Sequence, residues 1–164
     1  DIAVGTNLKA EFFATLPNAG NLQYMKEIID DPYVTFGVSD GGAHTRFLTA
    51  GRYPTEAISK YVREHKMLSL EEVHWRLSAL PAALAGFNNR GQIKVGAPAD
   101  IVVYDYEKLE ALPAEITHDM PAGEWRRVQR AKGYDYVLVN GQVTIDHDCQ
   151  TNTYSGRLLR HGDG

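Results

Sequence analysis

The chain has 164 residues, of which 43% are hydrophobic and 23% charged, and its formal net charge is −4. That is the size of one ordinary globular domain, enough to bury roughly two-thirds of the unfolded surface, and its scattered Lys and Arg form neither a nucleic-acid stripe nor a polybasic membrane anchor. No apolar run approaches the ~20 residues of a membrane span, and a lone cysteine, Cys149, cannot form an internal disulfide, so a cytoplasmic protein without nucleic-acid or membrane partners is expected.

The start, "DIAVGTNLKAEFF", begins without methionine and lacks the long apolar core of a signal peptide. It reads as the edge of a processed, proteolysed or truncated product. The first twenty residues show little periodicity and close on a loop, "LPNAG". From Asn21, a plausible N-cap, Leu22, Met25, Ile28 and Ile29 fall at helical spacing, and Asp31-Pro32 ends that helix. "YVTFGV", Tyr33 to Val38, is a short, nearly all-apolar run of β formers. A strand covered on both faces, as in a parallel sheet or barrel, has this pattern.

After a glycine-rich loop, Pro54 suits the first turn of a helix whose apolar face is Ala57, Ile58, Tyr61 and Val62. Ser69 and Glu72 have the spacing of a capping box, and the helix they open carries Val73, Leu77 and Leu80 as far as Pro81. "PAALAGF" adds a further turn, ended by Gly86. From "NNRGQIKVG" onward the character is β. "ADIVVYD" predicts a strand, and "YDYVLVNGQVTI" predicts a hairpin turning at Asn140-Gly141 with both faces covered. The stretch between them, "LPAEITHDMPAGEWRRVQ", predicts mostly loop.

The chemistry concentrates in "FGVSDGGAH". Asp40 stands where the apolar run ends, the place where α/β barrels set catalytic groups, and Gly41 and Gly42 leave room for a substrate. The plainer reading is that Asp40 caps the loop. A phosphate loop lacks its Lys and Ser/Thr here, and Ser39, Asp40 and His44 are too close in sequence for a triad. The six histidines form no metal-binding motif. His65 and His74 read as helix-surface residues, and His118 and His147 as locally hydrogen-bonded. Tyrosines read as half-buried packing residues.

"GVSDGGAH", the run "LSLEEVHWRLSALPAALAGFNNRGQIKVGAPADIVVYD" and the tail segments "PAGEWRRVQRAKGYDYVLVNGQV" and "YSGRLLR" together resemble the metal-dependent amidohydrolases. Within them, the N-acyl-D-amino-acid deacylases (D-aminoacylases) are most similar. The R-G-x-I-x-x-G-x-x-A-D-I-V-V pattern is shared across that superfamily, whereas "SDGGAH" with the tail points to the deacylase branch. The resemblance implies an α/β chain: the C-terminal slice of a TIM-barrel amidohydrolase, with its last strand and helices, followed by strands of a small β-sandwich. Residues 1–90 would be the last β/α portion of the barrel and 91–164 the sandwich strands and tail.

It also implies hydrolysis of the amide of N-acyl-D-amino acids, a small-molecule substrate, with the help of a divalent metal, zinc being expected. Asp40 would be the catalytic base and a metal ligand. Arg46 and Arg52 would offer guanidiniums to the substrate carboxylate, and His44 a hydrogen bond. The N-terminal barrel portion, with its H-x-H strand, has no counterpart here. The chain alone is therefore expected to be inactive, to hold metal poorly, and to self-associate as a homo-oligomer. The competing readings are a non-catalytic binding or assembly domain and a cyclic amidase of the hydantoinase or dihydroorotase type.

Overall fold

The structure is a computed structural model that describes residues 1–7, 10, 20–37, 39, 41–43, 46 and 48–163. Two compact units are present, Asp1–Val34 and Thr35–Gly164.

The first unit holds a short helix, α1 (Ile2–Gly5), and a longer one, α2 (Leu22–Asp30). Asn21 caps α2 as expected: its Oδ1 accepts from the backbone N–H groups of Gln23, at 2.9 Å, and Tyr24, at 3.3 Å. Asp31 is already extended, with φ −69° and ψ 120°, because the proline after it disfavours a helical conformation. Ile29 is buried, but Leu22, Tyr24 and Ile28 of the same helix are exposed.

The expected strand over Tyr33 to Val38 is not formed by its described residues. Tyr33 lies in a turn, and residues 34–37 belong to no strand among the described residues. A parallel strand exists only through neighbours that take up its N–H and C=O groups. Among the described residues every paired strand is antiparallel and belongs to the C-terminal half. Val38 itself lies outside the described residues. Tyr33, at 96% exposed, shows how little the apolar run is covered.

The second unit is mixed helix and strand. α3 (Tyr53–Glu56), with Pro54 in its first turn, runs on as a π-helical segment, Ala57–Glu64. It buries Ala57, Ile58 and Val62, the face its spacing predicts. α4 (Leu70–His74) opens at Ser69, whose Oγ accepts from the Glu72 N–H at 3.1 Å. The Glu72 carboxylate, however, turns to Arg76 at 2.8 Å.

This helix does not stop at Pro81. It continues as a π-helical turn, Trp75–Ala79, and then as α5 (Leu80–Leu84). Proline lacks an N–H and its ring crowds the preceding turn. The wider turn just before it, with Leu80 N–H bonded to Trp75 O, absorbs that demand. The end is a Schellman pair: Gly86 N–H bonds Ala83 O at 3.1 Å, and Phe87 N–H bonds Ala82 O at 2.8 Å.

Six strands follow: β1 (Ile101–Tyr104), β2 (Glu110–Thr117), β3 (Arg126–Lys132), β4 (Tyr134–Val139), β5 (Gln142–Asp146) and β6 (Cys149–Gln150). They make a four-stranded antiparallel sheet, ordered β1-β4-β5-β6, and a separate β2-β3 ribbon. The β4–β5 hairpin turns at Asn140-Gly141, with φ of 49° and 78°, the double positive φ that a type I′ turn requires. Its faces are half-buried rather than fully covered.

The expectation of mostly loop over residues 112–129 is overturned by β2 and β3. Pro113 disguises β2. It sits where the register shifts between Ala111 and Ala114, a bulge at which the missing N–H costs no ladder bond. The charges of "RRVQRAK" disguise β3, yet they are matched across the ribbon. Lys132 pairs with Glu110 and Arg130 with Glu115, each at 2.7 Å.

Polar contacts dock the helices on the sheets. Thr55 Oγ1 and Tyr134 Oη lie 2.8 Å apart, and Arg63 Nη1 donates to Tyr106 O at 2.6 Å. His74 Nε2 and Tyr104 Oη are 2.7 Å apart, so His74 is a half-buried joint rather than a surface residue.

Candidate functional site

The glycine-rich loop leads from the apolar run to α3. Asp40 and His44 lie outside the described residues, so no geometry is assigned to either. Around them, Ser39 Oγ accepts from the Gly41 N–H at 3.2 Å, a local turn that the Ser-x-Gly order favours. The loop then folds back on itself. A methyl group added at Gly41 would lie 2.8 Å from Ser39 Oγ and 3.5 Å from Gly51 Cα.

Gly41 and Gly42 share a groove of about 290 Å³ with Thr49, Arg52, Thr55 and Gln129. One wall is the loop and the other is β3. Thr49 Oγ1 donates to Gln129 Oε1 at 2.6 Å, and Gln129 Nε2 donates to Leu112 O at 2.9 Å, which fixes the amide orientation. The groove is small, and Arg126, Arg127 and Arg130 make it basic on its β3 side. Arg126 on that side is held bidentately by Asp119, at 2.7 and 2.6 Å. The hydrogen bond from Arg126 keeps the Asp119 carboxyl below the ordinary carboxylate range.

The two expected substrate guanidiniums have different surroundings. Arg52 lines the groove, its Nε 3.2 Å from Glu56 Oε2. Arg46 is turned to the start of β3, where it pairs with the Glu124 carboxylate and lies 5.4 Å from the centre of the Trp125 ring. Loop and ribbon thus meet at two places, Thr49–Gln129 and Arg46–Trp125. Spacing in the sequence could not have shown this, since the partners are about eighty residues apart. The clue, legible only in retrospect, is an indole flanked by opposite charges in "GEWRR".

A second polar cluster was also missed. His74, Tyr104 and Tyr134 line an apolar groove of about 570 Å³ between the helices and the larger sheet. Burial pushes the His74 imidazole down and the Tyr104 and Tyr134 phenols up. A neutral imidazole accepting from the Tyr104 hydroxyl satisfies both. His147 behaves as its acidic neighbours suggest. Its Nδ1 lies 2.5 Å from Asp146 Oδ1, and that hydrogen bond raises its pKa.

Among the described residues no group of three or more His, Cys, Asp or Glu side chains could hold a metal ion. The described part of the loop therefore does not fit a metal centre by itself. No helix among the described residues is long and apolar enough to cross a membrane.

Comparison with known proteins decides the family. The amidohydrolase family model matches residues 9–145, most of the chain. The chain belongs to the amidohydrolase family. Among similar proteins of Alcaligenes xylosoxydans xylosoxydans, an N-acyl-D-glutamate deacylase is 34% identical over 106 residues, 65% of this chain and 20% of that protein. A D-aminoacylase is 32% identical over 109 residues, 66% of this chain and 20% of the relative. An N-acyl-D-aspartate deacylase is 29% identical over 159 residues, covering 92% of this chain and 30% of that protein. This amidohydrolase chain thus spans between a fifth and three-tenths of the length of these relatives. No solved structure matches it. Amidohydrolases are built on TIM barrels and are generally metal-dependent.

Proposed function

We propose that this chain is the C-terminal part of a D-aminoacylase-like enzyme that hydrolyses the amide of N-acyl-D-amino acids. In this reading residues 1–90 are the last β/α portion of the barrel, and residues 91–164 are the strands and tail of the small sandwich. The carrying observation is the groove in which Gly41, Gly42 and Arg52 of the "SDGGAH" loop face Gln129. It is close to the lower size limit of small-molecule pockets, roughly 300 Å³. Exposed apolar side chains support a larger assembly: Ile93 is 87% exposed, and Val95 and Tyr33 more so.

Asp40 is assigned as the base. Its carboxylate takes a proton from water as the water oxygen bonds to the amide carbon. It returns that proton to the amine nitrogen as the C–N bond breaks. Arg52 receives the substrate carboxylate, exchanging its Glu56 contact for a stronger bidentate one. Arg46, already engaged by Glu124, is the less available of the two guanidiniums. His44 hydrogen-bonds the substrate or braces the loop.

A divalent metal, zinc in this reading, would supply a more acidic water. Its ligands beyond Asp40 are placed on upstream barrel strands, and no step is derived through it. A cytoplasmic homo-oligomer is the accompanying proposal; the same exposed apolar residues support the self-association.

The test uses a longer protein containing this segment, supplied with zinc. Amine release from N-acetyl-D-methionine should exceed that from the L enantiomer, and dihydroorotate should remain intact. Ring opening of dihydroorotate alone would make it a cyclic amidase. Inertness toward all three would favour a binding or assembly domain.

A further inference from the structure

We propose that Trp125 is a positioning residue: with Glu124 and Arg127 it clamps the 41–52 loop to the start of β3 by gripping Arg46. A single loop residue is held in three ways. Its guanidinium lies 5.4 Å from the centre of the Trp125 ring and pairs with the Glu124 carboxylate. Its backbone carbonyl accepts from Arg127 Nε at 2.8 Å, and the Arg127 guanidinium in turn lies 6.0 Å from the centre of the same indole.

An exposed ion pair alone contributes too little to order a loop, because solvent screens it and both side chains stay free to move. Here the indole adds a flat surface that both guanidiniums share, and the backbone bond fixes the main chain as well as the side chain. The tight turn Pro121–Gly123, with Ala122 and Gly123 at φ of 61° and 71°, delivers Glu124 and Trp125 to this point.

The clamp also has a second anchor. Thr49 is tied to Gln129 further along β3, so the loop is held at two points between the groove-lining Gly41 and Gly42 and the groove-lining Arg52. The two anchors set Arg46 and Thr49 against β3 with no ligand present. Neither Trp125 nor Glu124 lines the groove, so neither is assigned a contact with substrate.

The catalytic consequence rests on the deacylase reading, because Asp40 belongs to the same loop by sequence. Proton transfer is sensitive to displacements of about 1 Å. Loosening the clamp should therefore lower kcat more than it raises KM.

The clamp is tested first in the 164-residue chain by hydrogen exchange read by mass spectrometry. Trp125→Ala should raise exchange across residues 41–51 by about tenfold while leaving 134–146 unchanged, as expected of local rather than global opening. Arg46→Met should reproduce the effect, and Trp125→Phe, which keeps a ring face, should largely restore protection. Unchanged exchange over 41–51 in both disruptive variants would overturn the clamp.

In the longer enzyme, Trp125→Ala should lower kcat with little change in KM, and Trp125→Phe should recover it. If exchange rises but kcat holds, the positioning role is overturned. If the unmutated enzyme hydrolyses no acylated amino acid, the deacylase reading fails while the exchange result still decides the clamp.

Discussion

Arg90 Nη1 donates to Asp100 Oδ2 at 2.5 Å, joining the two ends of the R-G-x-I-x-x-G-x-x-A-D pattern. The Arg90 side chain is only 9% exposed, while Asp100 is 38% exposed and also accepts from the Asn140 N–H at 2.8 Å. One carboxylate thus ties the connector after α5 to the β4–β5 turn. At these positions the pattern is a packing device.

The pair should respond asymmetrically to mutation. Asp100→Ala strands a nearly buried guanidinium and frees the Asn140 N–H, and should cost about 2–4 kcal/mol. Arg90→Met removes a group whose Nε is buried and has no hydrogen-bond partner, and should cost about 1 kcal/mol or less. Urea midpoints compare the two. Equal losses would mean that the ion pair does not organise this corner.

Gly91→Ala should be worse than its size suggests. Gly91 has φ +74°, and a Cβ there would meet Ser78 O at 2.5 Å and Ala79 Cα at 2.9 Å. These are backbone atoms of the preceding helix and cannot rotate away. A loss of more than about 1 kcal/mol is expected in the same urea series. An unchanged midpoint would show that connector and helix do not approach this closely.

Acid should weaken the helix–sheet joint through His74. Burial lowers its folded pKa from the ordinary 6.5. Near and below that value the unfolded chain takes up a proton that the folded chain resists. Stability therefore falls as pH drops through about 6.5, and the loss levels off below the folded value. His147 acts in the opposite sense, because Asp146 raises its pKa, so wild type carries both slopes. Relative to its own value at about pH 7.5, the urea midpoint at about pH 5.5 should therefore be higher in His74→Asn than in wild type. Identical differences would remove His74 from the acid response.

Local signals were legible wherever one residue acts on its neighbours. Asn21 and Ser69 cap helices, Asn140-Gly141 turns a hairpin, and Ala57, Ile58 and Val62 share a buried face. Signals failed where the deciding partner is remote. The apolar run at Tyr33 reads as a strand by composition, yet a strand is made by its neighbours. β2 and β3 were hidden by Pro113 and by charges whose partners lie across the ribbon. In the candidate site, Asp40, Gly41 and Arg52 were visible as residue types, while the meeting of Arg46 with Trp125 was not.

The most direct measurement is single-turnover hydrolysis of N-acetyl-D-methionine by the longer enzyme, comparing wild type with Asp40→Asn, together with substrate binding at equilibrium. Asparagine keeps the side-chain shape but cannot accept the water's proton. The account predicts a rate lowered by ~10²–10⁴-fold with binding largely retained. An Asp40→Asn enzyme that turns over at a near-normal rate would contradict it.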